Sequence, residues 1–286
     1  MIPMKSIHLS LMLFALLCSA NAQKHSITAG AIVEKIKGQL TVDWQEKTVD
    51  TFKSGSEESQ VHGIATTFLA NLDVLKRAKE KGLNMIITHE PTFYNHLDDK
   101  KPYGDDPVLK AKLKFIEEND VIIWRFHDHW HRTSPDGIYK GIIDKLDWSM
   151  YQKEQNLYVI PEITLGDLVK RLKSVFDAKA IRVIGEPQMI LKNVGIILGA
   201  PGSLSQIELL RRDDVDVLIG GETREWETVE YVRDAISTGM DKALILLGHA
   251  ISEEEGMKYC ADWLENFIAD IPVEFVPANE PFWIPN

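Results

Sequence analysis

Four short runs constrain this chain more than any other feature. Residues 85–88 (Met-Ile-Ile-Thr), 121–124 (Val-Ile-Ile-Trp), 215–219 (Val-Asp-Val-Leu-Ile) and 243–247 (Ala-Leu-Ile-Leu-Leu) are predominantly apolar. Each has the length of a strand buried on both faces, and none is long enough to be a helix in its own right. Helical patterns lie between them. Val74, Leu75 and Ala78 share one face with Gly82 as a stop, and Pro107 opens a second helix with Leu109, Leu113 and Ile116 at helical spacing. A third opens at Thr164 with Asp167 in the capping position and Leu168, Leu172 and Val175 on one side. Alternation of this kind predicts an α/β fold with mostly parallel or mixed sheets. The polar, aperiodic stretch at residues 148–162 reads as a joint between an N-terminal lobe, residues 23–150, and a C-terminal lobe, residues 151–286.

The polar residues just past each run point to a site. The first run leads into His89-Glu90-Pro91, the second into His127-Asp128-His129-Trp130-His131, the third into Gly220-Gly221-Glu222 and the fourth into Gly248-His249 with Glu253 close behind. Ligands of open α/β sheets bind beyond the carboxyl ends of the strands, so four polar endings predict one shared cleft between two α/β lobes.

The residue types at those endings are metal donors. His89 and Glu90 are neighbours that serve one site only where the chain turns, and Pro91 stiffens a turn there. Three of the nine histidines fall within residues 127–131. A continuing strand would put all three on one face, whereas a helical turn would unite His127 with His131. Asp128 is either a carboxylate ligand or the partner that fixes an imidazole tautomer. Ser252 reads as an N-cap with Glu255 closing a capping box, which puts Glu253 in the first turn of the last helix, four residues after His249. Glu222 is expected as an outer partner of the site or a substrate contact, and Gly199-Ala-Pro-Gly202-Ser203 as an anion cradle or a tight turn.

Bulk properties narrow the function classes. A formal net charge of −11 and the lack of any Lys/Arg run argue against nucleic acid as a partner. The first 22 residues hold Lys5 as their one ionised side chain, an apolar stretch over residues 7–17 and an Ala20-Asn21-Ala22 site, the signature of a signal peptide cleaved near Ala22. The chain is therefore expected to be exported, periplasmic or secreted, with no stable membrane span. Cys18 follows Leu17 where a lipoprotein signal wants a small residue, so plain secretion is favoured over lipid anchoring. Cleavage leaves Cys260 as the one cysteine, with neither a disulfide nor a thiolate metal ligand expected.

In order along the chain, Ala-Lys-Glu-Lys-Gly82, Met-Ile-Ile-Thr-His89-Glu-Pro91, His127 to His131 followed by Pro135-Asp-Gly137, Asp216-Val-Leu-Ile-Gly-Gly-Glu222, and Gly248-His249 to Glu253 resemble the Nif-three-like dinuclear-metal proteins. Many bacterial members carry the name GTP cyclohydrolase I type 2. The resemblance spans residues 31–263. It implies two lobes facing a shared cleft, two divalent metal ions per chain and a ring-shaped homohexamer; the joint at 148–162 is too short for the inserted domain of many relatives. The pattern has two adjacent histidines after the first strand, an Asp four residues beyond a His after the second, and a final His-x-x-x-Glu. His89, His249 and Glu253 match it. Glu90 stands where a second His is usual and His131 where the Asp is usual, so the two ligand types are exchanged with the count preserved.

The ligand set expected from these readings is His89, Glu90, His127, His131, His249 and Glu253, with Asp128 and Glu222 around them. Nitrogen and oxygen donors without thiolate suit zinc, manganese, iron, cobalt or nickel. Two such ions about 3.5–4 Å apart would activate a water and clamp an oxyanion, which makes a metal-dependent hydrolase of a small molecule the favoured function. GTP is an unsuitable substrate for an exported protein. The alternative is a metal-binding or protein-interaction module without turnover.

Overall fold

The structure is a computed structural model that describes residues 27–285, so the expected leader and Cys18 lie outside the described residues. The chain runs β1 (Ile27–Thr28), α1 (Ala29–Gln39), β2 (Phe52–Ser54), β3 (Gln60–Val61), β4 (Ile64–Leu69), α2 (Leu72–Glu80), β5 (Met85–Glu90), α3 (Pro107–Glu118), β6 (Ile122–Arg125), α4 (Asp128–Arg132) and α5 (Gly137–Leu146). It continues through β7 (Gln152–Glu154), β8 (Leu157–Thr164), α6 (Leu165–Phe176), β9 (Arg182–Ile184), β10 (Ile190–Ile197), α7 (Ser203–Leu210), β11 (Val217–Gly220), α8 (Glu230–Ser237), β12 (Ala243–Leu246), α9 (His249–Glu265) and β13 (Val273–Phe275). The apolar runs are strands and the three patterned helices are helices. Asn71 caps α2 and Asp106 caps α3 ahead of Pro107, while the Thr164 hydroxyl accepts from the Asp167 amide at the start of α6.

Two mixed sheets carry the fold, of order β13-β4-β5-β6-β2 and β7-β8-β10-β11-β12-β9. The central strands of each are parallel, and β2, β8 and β9 run antiparallel at the flanks. Both faces of each sheet are covered. Met85 and Ile87 of β5, Val217 and Ile219 of β11, and Ala243 and Ile245 of β12 share one core with Ile32 of α1, Ile142 of α5, Leu168 of α6 and Leu264 of α9. These helices therefore fill the space between the sheets. The alternate residues face outward: Ile86 and Ile123 meet α2 and α3, and Leu218 and Leu244 meet α7 and α8.

Two expectations about organisation are corrected. Residues 148–162 are no linker: Trp148 is buried, and β7 with β8 forms an antiparallel hairpin of the second sheet, with Leu157, Tyr158 and Ile160 turned into the core. The division at residue 150 also does not hold to the end of the chain. β13 crosses back to pair in parallel with β4, Val273 opposite Ile64, because α9 packs on α5 and β4 and carries the chain to the first sheet. No helix among the described residues is long and apolar enough to cross a membrane.

Candidate metal centre

The carboxyl ends of β5 and β6 in one sheet and of β11 and β12 in the other open on a single cleft of about 1520 Å³. Each delivers a polar group there. His89 and Glu90 are the last residues of β5, and His127 follows β6. The chain then winds into α4, so His127 and His131 face the same way and the helical alternative is the one realised. His129 points elsewhere. Its Nδ1 donates to Asp50 (2.7 Å), its Nε2 accepts from the Gln45 amide (2.9 Å), and its ring stacks on Trp44 with centroids 3.8 Å apart.

The second half of the cluster depends on where α9 starts. It begins at His249, with Gly248 at φ +93° in the capping position, rather than at the expected Ser252. A glycine that tolerates positive φ lets the chain turn directly from strand to helix. His249 and Glu253 then sit one turn apart on one face, with Nε2 and Oε2 3.0 Å apart. The capping box does not form. Ser252 is buried inside the helix, donating to the His249 carbonyl and accepting from the Gly199 amide, and Glu255 pairs with Lys145.

Three imidazoles gather on one side. The rings of His89, His127 and His131 have centroids 4.6, 4.9 and 5.1 Å apart. Each is fixed through Nδ1, to the Phe126 carbonyl (3.2 Å), Asp128 (2.8 Å) and Asp136 (3.0 Å) respectively. That backing by a carbonyl or carboxylate is the arrangement that orients metal-ligating histidines and leaves Nε2 toward the ion. His89 is fully buried, and its Nε2 makes no hydrogen bond. Burial, with the neighbouring His131 and His127, holds its pKa well below the usual imidazole range, so the ring is neutral and its lone pair is available. For His131, burial pulls the pKa down but the Asp136 carboxylate, together with Glu253 and Glu90, more than offsets it.

Carboxylates fill the gap between those rings and His249. Glu253 Oε2 is 3.6 Å from His89 Nε2, and Glu90 Oε1 lies 3.6 Å from His127 Nε2 and 3.5 Å from His249 Nε2. Glu222 Oε1 reaches His249 Nδ1 at 3.5 Å. Burial opposes a charge on His249, yet Glu222, Glu253 and Glu90 push its pKa up to about 12. The cluster thus favours a positive charge at this point, whether a proton or a metal ion. Two overlapping groups, His89 with His127 and His131, and His89 with Glu90 and Glu253, bring ligand atoms within 4.8 Å of one another. An orphaned buried nitrogen facing convergent nitrogen and oxygen donors fits a divalent cation.

Five of the six expected ligand residues line this cleft and His89 lies buried beside them, with Asp128 and Glu222 behind imidazoles. Three further residues of the site carry no signal of that role in the sequence pattern. Asp50 accepts from the backbone amides of His127, Asp128 and His129 and so holds α4 in place. Asp136 backs His131, and Arg125 lies buried against Glu90. Asp136 belongs to the Pro-Asp-Gly stretch, which marks its position but not its task; Asp50 and Arg125 stand in no motif at all. The Gly199 segment makes room for a candidate metal ligand: Gly199 sits at φ +64° against the Glu253 carboxylate.

Known proteins share this architecture. The chain is 28% identical over 210 residues to a GTP cyclohydrolase 1 type 2 homolog of Clostridium acetobutylicum, covering 68% of this chain and 73% of that protein. It is 24% identical over 241 residues to the homolog of Clostridium perfringens, covering 79% and 86%. Protein SA1388 of Staphylococcus aureus superposes with a TM-score of 0.70 at 17% identity over 91% of this chain and 99% of its own, which is a likeness of fold. A family profile, Duf34/NIF3 (NGG1p interacting factor 3), matches residues 28–281, and the chain belongs to that family.

Proposed function

We propose that His89, Glu90, His127, His131, His249 and Glu253 hold two divalent ions and that the site hydrolyses a small organic molecule in the cleft. The observation that carries this reading is the pair of donor groups sharing His89, with Glu90 and Glu253 between the three-imidazole side and His249. When bound, such ions supply Lewis acidity toward a carbonyl, amidine or phosphoryl oxygen. The chain's own residues orient and shield. Asp128 and Asp136 set the imidazole tautomers, and Glu222, half exposed, holds the outer nitrogen of His249.

The walls bear on substrate. Leu69, Tyr94, Leu198, Pro201, Ile251 and Phe282 give the cleft apolar surface. Apart from histidines, its basic lining residues are Lys112, which donates to the Thr92 carbonyl, and Arg182, which pairs with Glu225. A triphosphate chain is held by Arg forks, a lysine or a glycine-rich loop; here Lys112 is buried and Arg182 shares an exposed pair with Glu225. That composition supports a compact molecule with an apolar body over GTP, the compound in the names of the clostridial relatives. A leader over residues 1–22 would place the substrate outside the cytoplasm, and a homohexamer is the expected assembly by light scattering.

The metal-reconstituted chain should hydrolyse members of a panel of cyclic amides and simple phosphoesters, with turnover lost in Glu253→Gln. Turnover of GTP above the rest of the panel would contradict the substrate reading. A fully loaded chain that hydrolyses nothing would favour a metal-binding module without catalysis.

A further inference from the structure

Resting on the metal-site reading above, we propose that Arg125 is a positioning residue that makes Glu90 a one-oxygen, charge-compensated ligand, and that Asp136 does the converse for His131. Arg125 is fully buried on β6 and cannot swing away, because its guanidinium is committed on every side. Nε donates to the His89 carbonyl (3.0 Å) and one terminal nitrogen to the His96 carbonyl (2.5 Å). The other terminal nitrogen lies 3.4 Å from Glu90 Oε2. That oxygen is occupied. Only Oε1 faces His127 and His249.

The charge is matched in the same place. Asp98 Oδ2 pairs with Lys53 (3.3 Å) and Arg125 (3.6 Å), while its Oδ1 accepts from the Thr92 and Phe93 amides. Arg125 thus lies between the Asp98 and Glu90 carboxylates, with Lys53 paired to Asp98 and Lys112 also buried, so the charge of Glu90 is compensated from behind before any ion binds. Glu90 enters the site as a single-atom donor whose charge Arg125 compensates, so that the pair together stands closer to an imidazole in net charge. On the opposite side His131 offers one nitrogen, and Asp136 puts a negative charge directly behind it at 3.0 Å. The Asp136 carboxylate is itself anchored, its Oδ1 accepting from the Ile138 and Tyr139 amides at the start of α5. His131 with Asp136 is electrostatically a carboxylate-like ligand. The exchange of ligand types at positions 90 and 131 therefore keeps the donor count, with a charge of opposite sign set behind Glu90 and a carboxylate behind His131.

The test is a pair of double-mutant cycles on the full chain, read by zinc content under equilibrium dialysis and by the visible spectrum of the cobalt-substituted protein. Glu90→His alone sets an imidazole against an uncompensated buried guanidinium and should weaken zinc binding tenfold or more. Adding Arg125→Met should recover most of that loss. His131→Asp alone sets two carboxylates face to face and should weaken binding similarly, with recovery on adding Asp136→Asn. Arg125→Met alone frees the second oxygen of Glu90, so the cobalt spectrum should weaken as the coordination number rises while zinc stays bound; a purely structural role would leave the spectrum unchanged. Thermal unfolding of the chelator-treated proteins identifies any variant that fails to fold, in which case the Asp136 cycle alone decides. Losses that simply add, with no recovery in the double variants, would overturn the inference while leaving the metal site intact. A wild-type chain that takes up no zinc would overturn the metal-site reading itself.

Discussion

Gly199 has no side chain, and the Glu253 carboxylate uses the space. A methyl group there would overlap Oε1, and φ of +64° disfavours any side chain, so Gly199→Ala should lower metal content severalfold, measured by plasma mass spectrometry. Asp50 acts at a distance from the site. Its buried carboxylate satisfies three backbone amides and His129 Nδ1, so Asp50→Ala strands donors in the core and should cost about 3 kcal/mol in urea unfolding, with metal content falling as α4 loosens. A loss under about 1 kcal/mol would contradict that role. These residues mark where local sequence pattern stops being informative. His89, His249 and Glu253 are legible because donors clustered just past apolar runs have few other reasons to be there. Asp50 is 77 residues from His127 and Arg125 is 35 from Glu90, and nothing local to either announces the pairing.

At the scale of elements, α5 and α9 cross at glycines. Gly141 meets the Glu255 backbone and Gly256 meets Ile138, so a methyl group at either would push the helices apart. Gly141→Ala and Gly256→Ala should each destabilise by about 1–3 kcal/mol in chemical unfolding, and neutrality of both would mean that the crossing is looser than described. The long elements are readable because their patterns are local: uniform apolar runs for β5, β6, β11 and β12, and a single apolar face for α2, α3 and α6. The short strands are not. β9 and β13 have three residues each, and tertiary pairing with β12 and β4 makes them strands. The start of α9 departs from expectation for a related reason: Ser252 has the chemistry of a cap, but the preceding Gly248 turns the chain one helical turn earlier.

For the whole molecule, the two sheets are legible as a class of fold, whereas the return of the last strand to the first sheet is a long-range event that no local pattern carries. Stability should also register a buried amine near the cleft. Burial lowers the pKa of Lys112 from 10.5 to about 8, against Asp98, which raises it. The folded chain thus holds this amine neutral more readily than the unfolded chain, and charging it opposes folding below about pH 8; stability is regained as pH rises from about 8 to 10.5. Lys112→Met should flatten that rise in urea midpoints relative to wild type, and an unchanged profile would contradict a depressed pKa. The central claim is that both sheets deliver ligands to one pair of ions. Plasma mass spectrometry of the purified chain, beside His249→Ala and Glu253→Ala, tests it most directly. The wild type should carry about two divalent ions per chain, falling sharply in both variants. A wild-type chain that stays metal-free after reconstitution, or variants that load as fully as it does, would contradict the claim.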